Sequence, residues 1–191
     1  MSPEAAHTMP EPIAVQFRKP RPEDGAAMWR LVDEMGGLEL NSAYFYLLFA
    51  TDFADTGVLA ETEDGQLAGF IVGHRPPTRP EAVFVWQVGV APWMRRQGLA
   101  RRLLDELLER QPEDVCWLEA SVTPDNRAST RLFRAVARDR GVACQEREYM
   151  GAQLFPNSHA AENLFRIGPL KPQSPNSPNT RHTRIKRQTS S

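Results

Sequence analysis

The order of apolar periods along this 191-residue chain predicts an α+β fold, a mixed central β-sheet with helices on both faces. Three observations carry that expectation. Runs of two-residue period alternate with runs of helical period in the order β-α-α-β-β-β-α-β-α-β-β. Two early strands flank Glu63-Asp64-Gly65, a tight-turn signal that makes them antiparallel neighbours. The glycine-bearing turn Arg95-Arg96-Gln97-Gly98-Leu99-Ala100 comes mid-chain rather than after the first strand, which argues against a doubly wound nucleotide-binding sheet.

Each element has its own signal. Residues 13–18 alternate and read as a first strand. Pro22-Glu23-Asp24-Gly25 opens a helix with Met28, Leu31, Val32 and Met35 on one face, stopped by Gly36-Gly37. A shorter apolar helix is expected over 42–53, then strands at 57–61, 66–74 and 82–91. Leu99, Leu103, Leu104, Leu107 and Leu108 mark a helix, 115–122 a buried strand, and 125–138 a helix with Leu132, Phe133, Val136 and Ala137 inward. Weaker strand signals lie at 142–155 and 164–167.

The length suits one well-buried domain. It is expected over 13–170, between a proline-rich flexible arm at 1–12 and a disordered basic tail at 171–191. The tail holds Lys171, Arg181, Arg184, Lys186 and Arg187 and no acid, so against −1 for the whole chain the first 170 residues carry six net negative charges. An acidic body argues against nucleic acid and suits a cationic substrate. Cys116 and Cys144 have no metal-ligand spacing, and Cys116 sits in an apolar strand as a packing residue. No run is apolar enough for a leader or a membrane span, so the expectation is a reduced cytoplasmic protein with neither membrane nor metal partner.

The chemistry starts at the turn of residues 95–100. It follows the apolar run Val83-Phe84-Val85-Trp86-Gln87-Val88-Gly89-Val90 and opens a helix, leaving backbone N–H groups that can hold a phosphate. Arg95, Arg96, Arg101 and Arg102 add charge. Gly98 alone reads equally well as a close-packing device, and Gly89 inside the strand reads as a bulge or a close approach of a ligand. Arg95-x-x-Gly98-x-Ala100 after such a strand resembles the acetyl-CoA motif of the GCN5-related N-acetyltransferases. Thr123-Pro124-Asp125-Asn126-x-x-Ser129-x-x-x-Phe133 resembles the second motif of that family. The resemblance implies the GNAT-type sheet, with a strand splayed to admit the pantetheine arm of acetyl-CoA. It assigns Val88 and Val90 to that arm, Arg95, Arg96, Gln97, Gly98, Leu99, Ala100 and Arg101 to the pyrophosphate, and Asn126 to the cofactor as well. Phe133 stands where many relatives carry a proton-donating tyrosine, so either another hydroxyl, Tyr44 or Tyr46, protonates the leaving thiolate, or the thiolate leaves with help from solvent or backbone dipoles.

Three further segments bear on the substrate: Leu38-Glu39-Leu40-Asn41-Ser42-x-Tyr44-x-Tyr46, Trp86-Gln87 inside the buried strand, and His159-x-x-Glu162. Together they closely resemble the L-2,4-diaminobutyrate acetyltransferases of ectoine biosynthesis, in which Glu39 is commonly the shorter aspartate. The resemblance implies acetyl transfer to the γ-amine of diaminobutyrate. Glu39, Asn41, Trp86 and Glu162 would bind that amino acid, and Glu162, His159 and Tyr44 would serve catalysis. Two carboxylates suit two ammonium groups, and the Trp86 ring face suits a cation. Each residue also has a plainer reading: Trp86 as core, Glu39 as a solvated acid, His159 and Glu162 as a helix-surface pair, Asn41 and Ser42 as caps, Asp125 as the cap of the 125–138 helix.

A primary amine with a pKa near ~10.4 costs ~4–5 kcal/mol to deprotonate at pH 7, so a base is needed, Glu162 first and His159 second. Choice of the γ- over the α-amine must come from position, and the oxyanion is expected on a backbone N–H near Val88. Other readings are an acetyltransferase for another small diamine or a peptide N-terminus, and a non-catalytic acyl-CoA-binding domain. A substrate panel separates the first, and CoA binding without thiol release marks the second. A homodimer is expected by resemblance, with Phe155 and 164–168 as its contact.

Overall fold

The computed structural model describes residues 13–156 and 159–171. The expected arm at 1–12 and tail beyond 171 lie outside the described residues. Seven strands form one sheet: β1 (Gln16–Arg18), β2 (Val58–Glu61), β3 (Leu67–His74), β4 (Ala82–Val90), β5 (Trp117–Val122), β6 (Ala143–Met150) and β7 (Glu162–Gly168). Among the described residues four α-helices accompany them: α1 (Gly25–Met35), α2 (Ala43–Thr51), α3 (Leu99–Glu109) and α4 (Arg127–Arg140). The element order is the one the apolar periods predict. The spatial order β1-β2-β3-β4-β5-β7-β6 is not sequential, because β7 inserts between β5 and β6.

Alternation along β3 sorts the helices onto two faces. The ring of Phe70 meets Tyr46 of α2 edge-on at 6.1 Å, while the neighbouring Gly69 lies against Leu99 and Leu103 of α3. α1 packs beside α2, and α4 joins the α3 face, where Phe133 meets Phe165 of β7 at 6.1 Å. The core between these layers is continuous, with Met28, Leu59, Ile71, Leu103, Leu104 and Leu118 fully buried. The short β1 is tied down by Arg18, which bridges Asp24 and Glu61 at 2.7 Å each.

Local chemistry sets the ends of the elements. α1 stops at Gly36 and Gly37, both at positive φ, and Ser42 caps α2 by accepting from the Phe45 N–H at 3.2 Å. α2 ends at Thr51, short of the expected 53, and a turn over Ala54–Thr56 takes over. α4 is capped by Asn126, whose side-chain oxygen accepts from Ser129 N–H at 3.0 Å, and not by Asp125. β6 stops at Met150, short of 155, and β7 begins at Glu162, two residues before the expected start. His159 therefore lies on the segment leading into β7 and Glu162 is the first residue of that strand, so neither is on a helix.

One expectation is corrected by topology. Residues 164–168, expected to contact a second copy, offer it little surface, because β7 is an interior strand with Leu164, Phe165 and Ile167 buried within the chain. The outer strand on that side is β6, most of whose side chains are exposed.

Candidate active site

The site is opened by a fork in the sheet. β4 and β5 pair in parallel only from Ala82↔Trp117 to Val85↔Ala120. Beyond that point β4 keeps β3 and β5 keeps β7, and the facing edges part. The cause is visible in the β3–β4 register, where Val72 faces Gln87 but Gly73 faces Val85. Trp86 is thus an extra residue, a bulge that bends β4 away from β5 and turns an indole outward, 52% exposed, between the buried Val85 and Gln87. Gly89 does not make the bulge. A Cβ there would lie 2.6 Å from the Phe70 ring, so this glycine admits a neighbouring side chain.

Three connected cavities line the fork. The middle one, about 250 Å³, is bounded by Glu39, Asn41, Trp86, Val88, His159 and Glu162, with Phe133 in its wall. On the α3–α4 side it shares Leu38, Val88, Thr123, Asn126 and Ser129 with a second cavity of about 680 Å³, which reaches Val90, Arg95 and Ala100. On the opposite side it shares Glu39, Trp86, Ser121, His159 and Glu162 with a third of about 390 Å³, closed by His74, Arg79, Phe84 and Tyr149.

The turn at the far end of the second cavity has anion-binding chemistry. Arg96 (φ 65°) and Gly98 (φ 73°) hold left-handed backbone, and Gly98 caps α3. Among the described residues the N–H groups of 96–100 donate to no protein acceptor. Leu99 contributes only backbone, since its side chain is core, and the Gln97 side chain donates back to the Trp93 carbonyl at 3.0 Å. Of the four arginines two are committed elsewhere. Arg101 ties α3 to α4 through Asp105 and Asp139, and Arg102 covers the Phe17 ring at 5.0 Å. Arg95, anchored to the Met35 carbonyl at 3.2 Å, and the exposed Arg96 are left beside the turn. Unpaired amides, a helix start and two guanidinium groups fit a pyrophosphate.

The acids meet in the middle cavity. Burial pushes the Glu162 carboxyl above its usual range, the nearby Glu39 and Asp125 carboxylates push the same way, and the Ser121 hydroxyl and His159 oppose. His159 Nε2 lies 3.8 Å from Glu162 Oε1, and the imidazole stacks on Phe155 with ring centroids 4.1 Å apart. Glu39 sits on the loop between α1 and α2, held by its own carbonyl, which accepts from Gln87 Nε2 at 3.0 Å. Gln87 Oε1 in turn accepts from the buried Tyr46 hydroxyl at 3.0 Å. Among the described residues no group of three His, Cys, Asp or Glu side chains is placed to hold a metal ion, and no helix is long and apolar enough to cross a membrane.

Glu39, Asn41, Trp86, His159 and Glu162 are therefore brought together, as are Val88, Val90, Arg95, Ala100 and Asn126 along the second cavity. Tyr44 is not. It is 71% exposed and lines none of the three cavities. Tyr46, the other candidate phenol, is buried with its proton committed to Gln87, and burial pushes its phenol up. Sequence reasoning missed Ser121, Arg79 and Tyr149. Alternation in β5 puts Ser121 on the face of Glu119, a signal that was legible; Arg79 lies on a turn with no motif.

A forked parallel strand pair, a phosphate turn and an acid-lined chamber define an acyltransferase-like site, and comparison with known proteins agrees. The sequence profile of the acetyltransferase (GNAT) family matches residues 26–137, and the chain belongs to that family. It is 43% identical over 155 residues to the L-2,4-diaminobutyric acid acetyltransferase of Nocardia farcinica, covering 81% of this chain and 80% of the relative. It is 46% identical over 158 residues to that of Marinococcus halophilus, covering 82% and 91%. The solved structure of a diaminobutyrate acetyltransferase from Paenibacillus lautus, in complex with its substrate L-2,4-diaminobutyric acid and coenzyme A, superposes with a TM-score of 0.80 at 39% identity. The match spans 85% of this chain and 99% of that one.

Proposed function

We propose that this chain transfers the acetyl group of acetyl-CoA to the γ-nitrogen of L-2,4-diaminobutyrate, giving N4-acetyl-L-2,4-diaminobutyrate and coenzyme A, a step of ectoine formation. The observation that carries this is the meeting of Glu39, Trp86 and Glu162 in one chamber at the mouth of the fork, in a chain 41–46% identical to diaminobutyric acid acetyltransferases. The parted edge of β4 beyond Val85 receives the pantetheine, and the turn at 95–100 receives the pyrophosphate. Glu39 holds the α-ammonium, with Asn41 beside it and the indole of Trp86 along the aliphatic chain.

Glu162 takes the proton from the γ-ammonium. Its half-buried carboxyl, raised above the usual range, is better matched to that task than a solvated glutamate. His159, within 3.8 Å, orients it. The nitrogen then bonds to the acyl carbon, the carbon–sulfur bond breaks, and charge on the carbonyl oxygen falls on backbone N–H near Val88. Phe133 cannot protonate the thiolate. Thr123 and Ser129, the hydroxyls that line both the middle and the second cavity, take its place.

The working unit spans 13–170, closed at its end by the Leu170 N–H on the Cys116 carbonyl at 2.7 Å. It acts in the cytoplasm, where acetyl-CoA is at hand, and as a homodimer, with the exposed outer strand β6 as the surface that supports pairing. Sedimentation of the full chain tests the dimer. The test of function is thiol release from acetyl-CoA with diaminobutyrate, ornithine, lysine and a peptide, with NMR of the product. Release with diaminobutyrate and acetylation at N4 is expected. No release above blank, or acetylation at the α-nitrogen, overturns the reading.

A further inference from the structure

The third cavity contains a cation that the transfer reaction as written does not use. Arg79 sits on the turn before β4, fixed by its N–H on the Pro76 carbonyl at 2.9 Å and by its own carbonyl, which accepts from Ala82 N–H at 3.0 Å. Its Nε donates to Glu119 Oε2 at 2.8 Å, and Glu119 is fully buried. Glu119 is also bound by Arg166, which lies over the Trp117 ring at 4.3 Å and reaches Glu81 at 3.1 Å. A buried carboxylate between two guanidinium groups holds both rigidly, since an unpaired charge there is costly. The rest of the Arg79 fork lines the cavity beside Tyr149, with one terminal nitrogen donating to Thr78 Oγ1 in a long 3.4 Å contact.

We infer that Arg79 is the anchor for the substrate carboxylate, so that it, with Glu39 and Glu162, reads all three charged groups of a diamino acid. The inference rests on the diaminobutyrate reading above and deepens it.

Position supports it. Arg79 is held by Glu119 and Glu162 by Ser121, two residues apart on the same face of β5 and hence ~6–7 Å along the strand. In diaminobutyrate four bonds of about 1.5 Å separate the γ-nitrogen from the carboxyl carbon, ~5 Å when extended. With the γ-nitrogen at Glu162, facing the fork, the carboxylate therefore falls toward Arg79. Charge supports it too. The third cavity is lined by two acids and one arginine, while the substrate carries two ammonium groups and one carboxylate. Burial, and then Arg79, push the His74 imidazole in the same wall below its ordinary range, so the guanidinium is the permanent cation there. An anchored carboxylate also explains how the γ- rather than the α-nitrogen is presented.

The test compares diaminobutyrate with 1,3-diaminopropane, the same molecule without its carboxylate. Wild-type protein should favour diaminobutyrate in kcat/KM by ~10–100-fold, the worth of one charge-assisted hydrogen-bonded contact. R79Q should lose that factor for diaminobutyrate, change by less than about threefold for 1,3-diaminopropane, and keep its KM for acetyl-CoA. If R79Q fails to melt cooperatively, R79K decides. It keeps the ion pair with Glu119 but not the planar fork, and should lose activity selectively on diaminobutyrate. Equal wild-type rates on the two amines, or equal loss on both in R79Q and R79K, overturns the assignment. Wild-type protein inactive on diaminobutyrate would instead remove the substrate reading itself.

Discussion

Replacing Tyr46 with phenylalanine removes one oxygen and tests how the substrate loop is held. The Tyr46 hydroxyl donates to Gln87 Oε1, both residues are buried, and Gln87 Nε2 donates to the Glu39 carbonyl. Without the hydroxyl, a buried amide oxygen loses its donor, at a cost of about 1–3 kcal/mol. For a chain of this size that corresponds to a fall in Tm of roughly 2–4 °C per kcal/mol. The carboxamide is then free to turn, the loop bearing Glu39 loosens, and KM for diaminobutyrate should rise while KM for acetyl-CoA stays put. Thermal and urea unfolding with two-substrate kinetics read both effects. The double variant Y46F/Q87L removes both polar partners, so it should recover much of the stability but not the KM. Y46F as stable as wild type, within ~0.5 kcal/mol, would refute the relay, as would full recovery of KM in Y46F/Q87L.

Two further outcomes follow from the same geometry. As a base Glu162 works ionised, so kcat/KM for diaminobutyrate should fall as pH drops through its raised pKa, above the usual glutamate range. Removing the Glu39 charge lowers that pKa, so E39Q should move the acid limb to lower pH besides weakening binding, and an unmoved or raised limb would dismiss Glu162 as the base. Gly89→Ala puts a methyl group 2.6 Å from a ring edge of the fully buried Phe70, an overpacking of about 1–3 kcal/mol that urea unfolding would register. An unchanged midpoint would show that the ring can move aside.

The sequence by itself determined the elements and the anion turn, because both are local. Helical and strand periods in the apolar residues are properties of a dozen neighbours, and Gly98 at the start of α3 needs nothing distant to present its amides. The resemblance also brought Glu39, Trp86 and Glu162 to one substrate, although 123 residues separate the two acids. Spacing could not show how they meet. That depends on β7 inserting between β5 and β6, which places Glu162 diagonally across from Ser121, two residues along β7 from its direct partner Leu164, rather than on an edge. Nor could composition tell Arg95 from Arg101, or Tyr44 from Tyr46. Their neighbours come from distant segments: Met35 for Arg95, Asp139 for Arg101, Gln87 for Tyr46. The bulge at Trp86 belongs to the same class, since a strand's extra residue exists only relative to the strand beside it. Periodicity is written along the chain, whereas charge compensation and register are relations between chain segments, and only the folded sheet decides them.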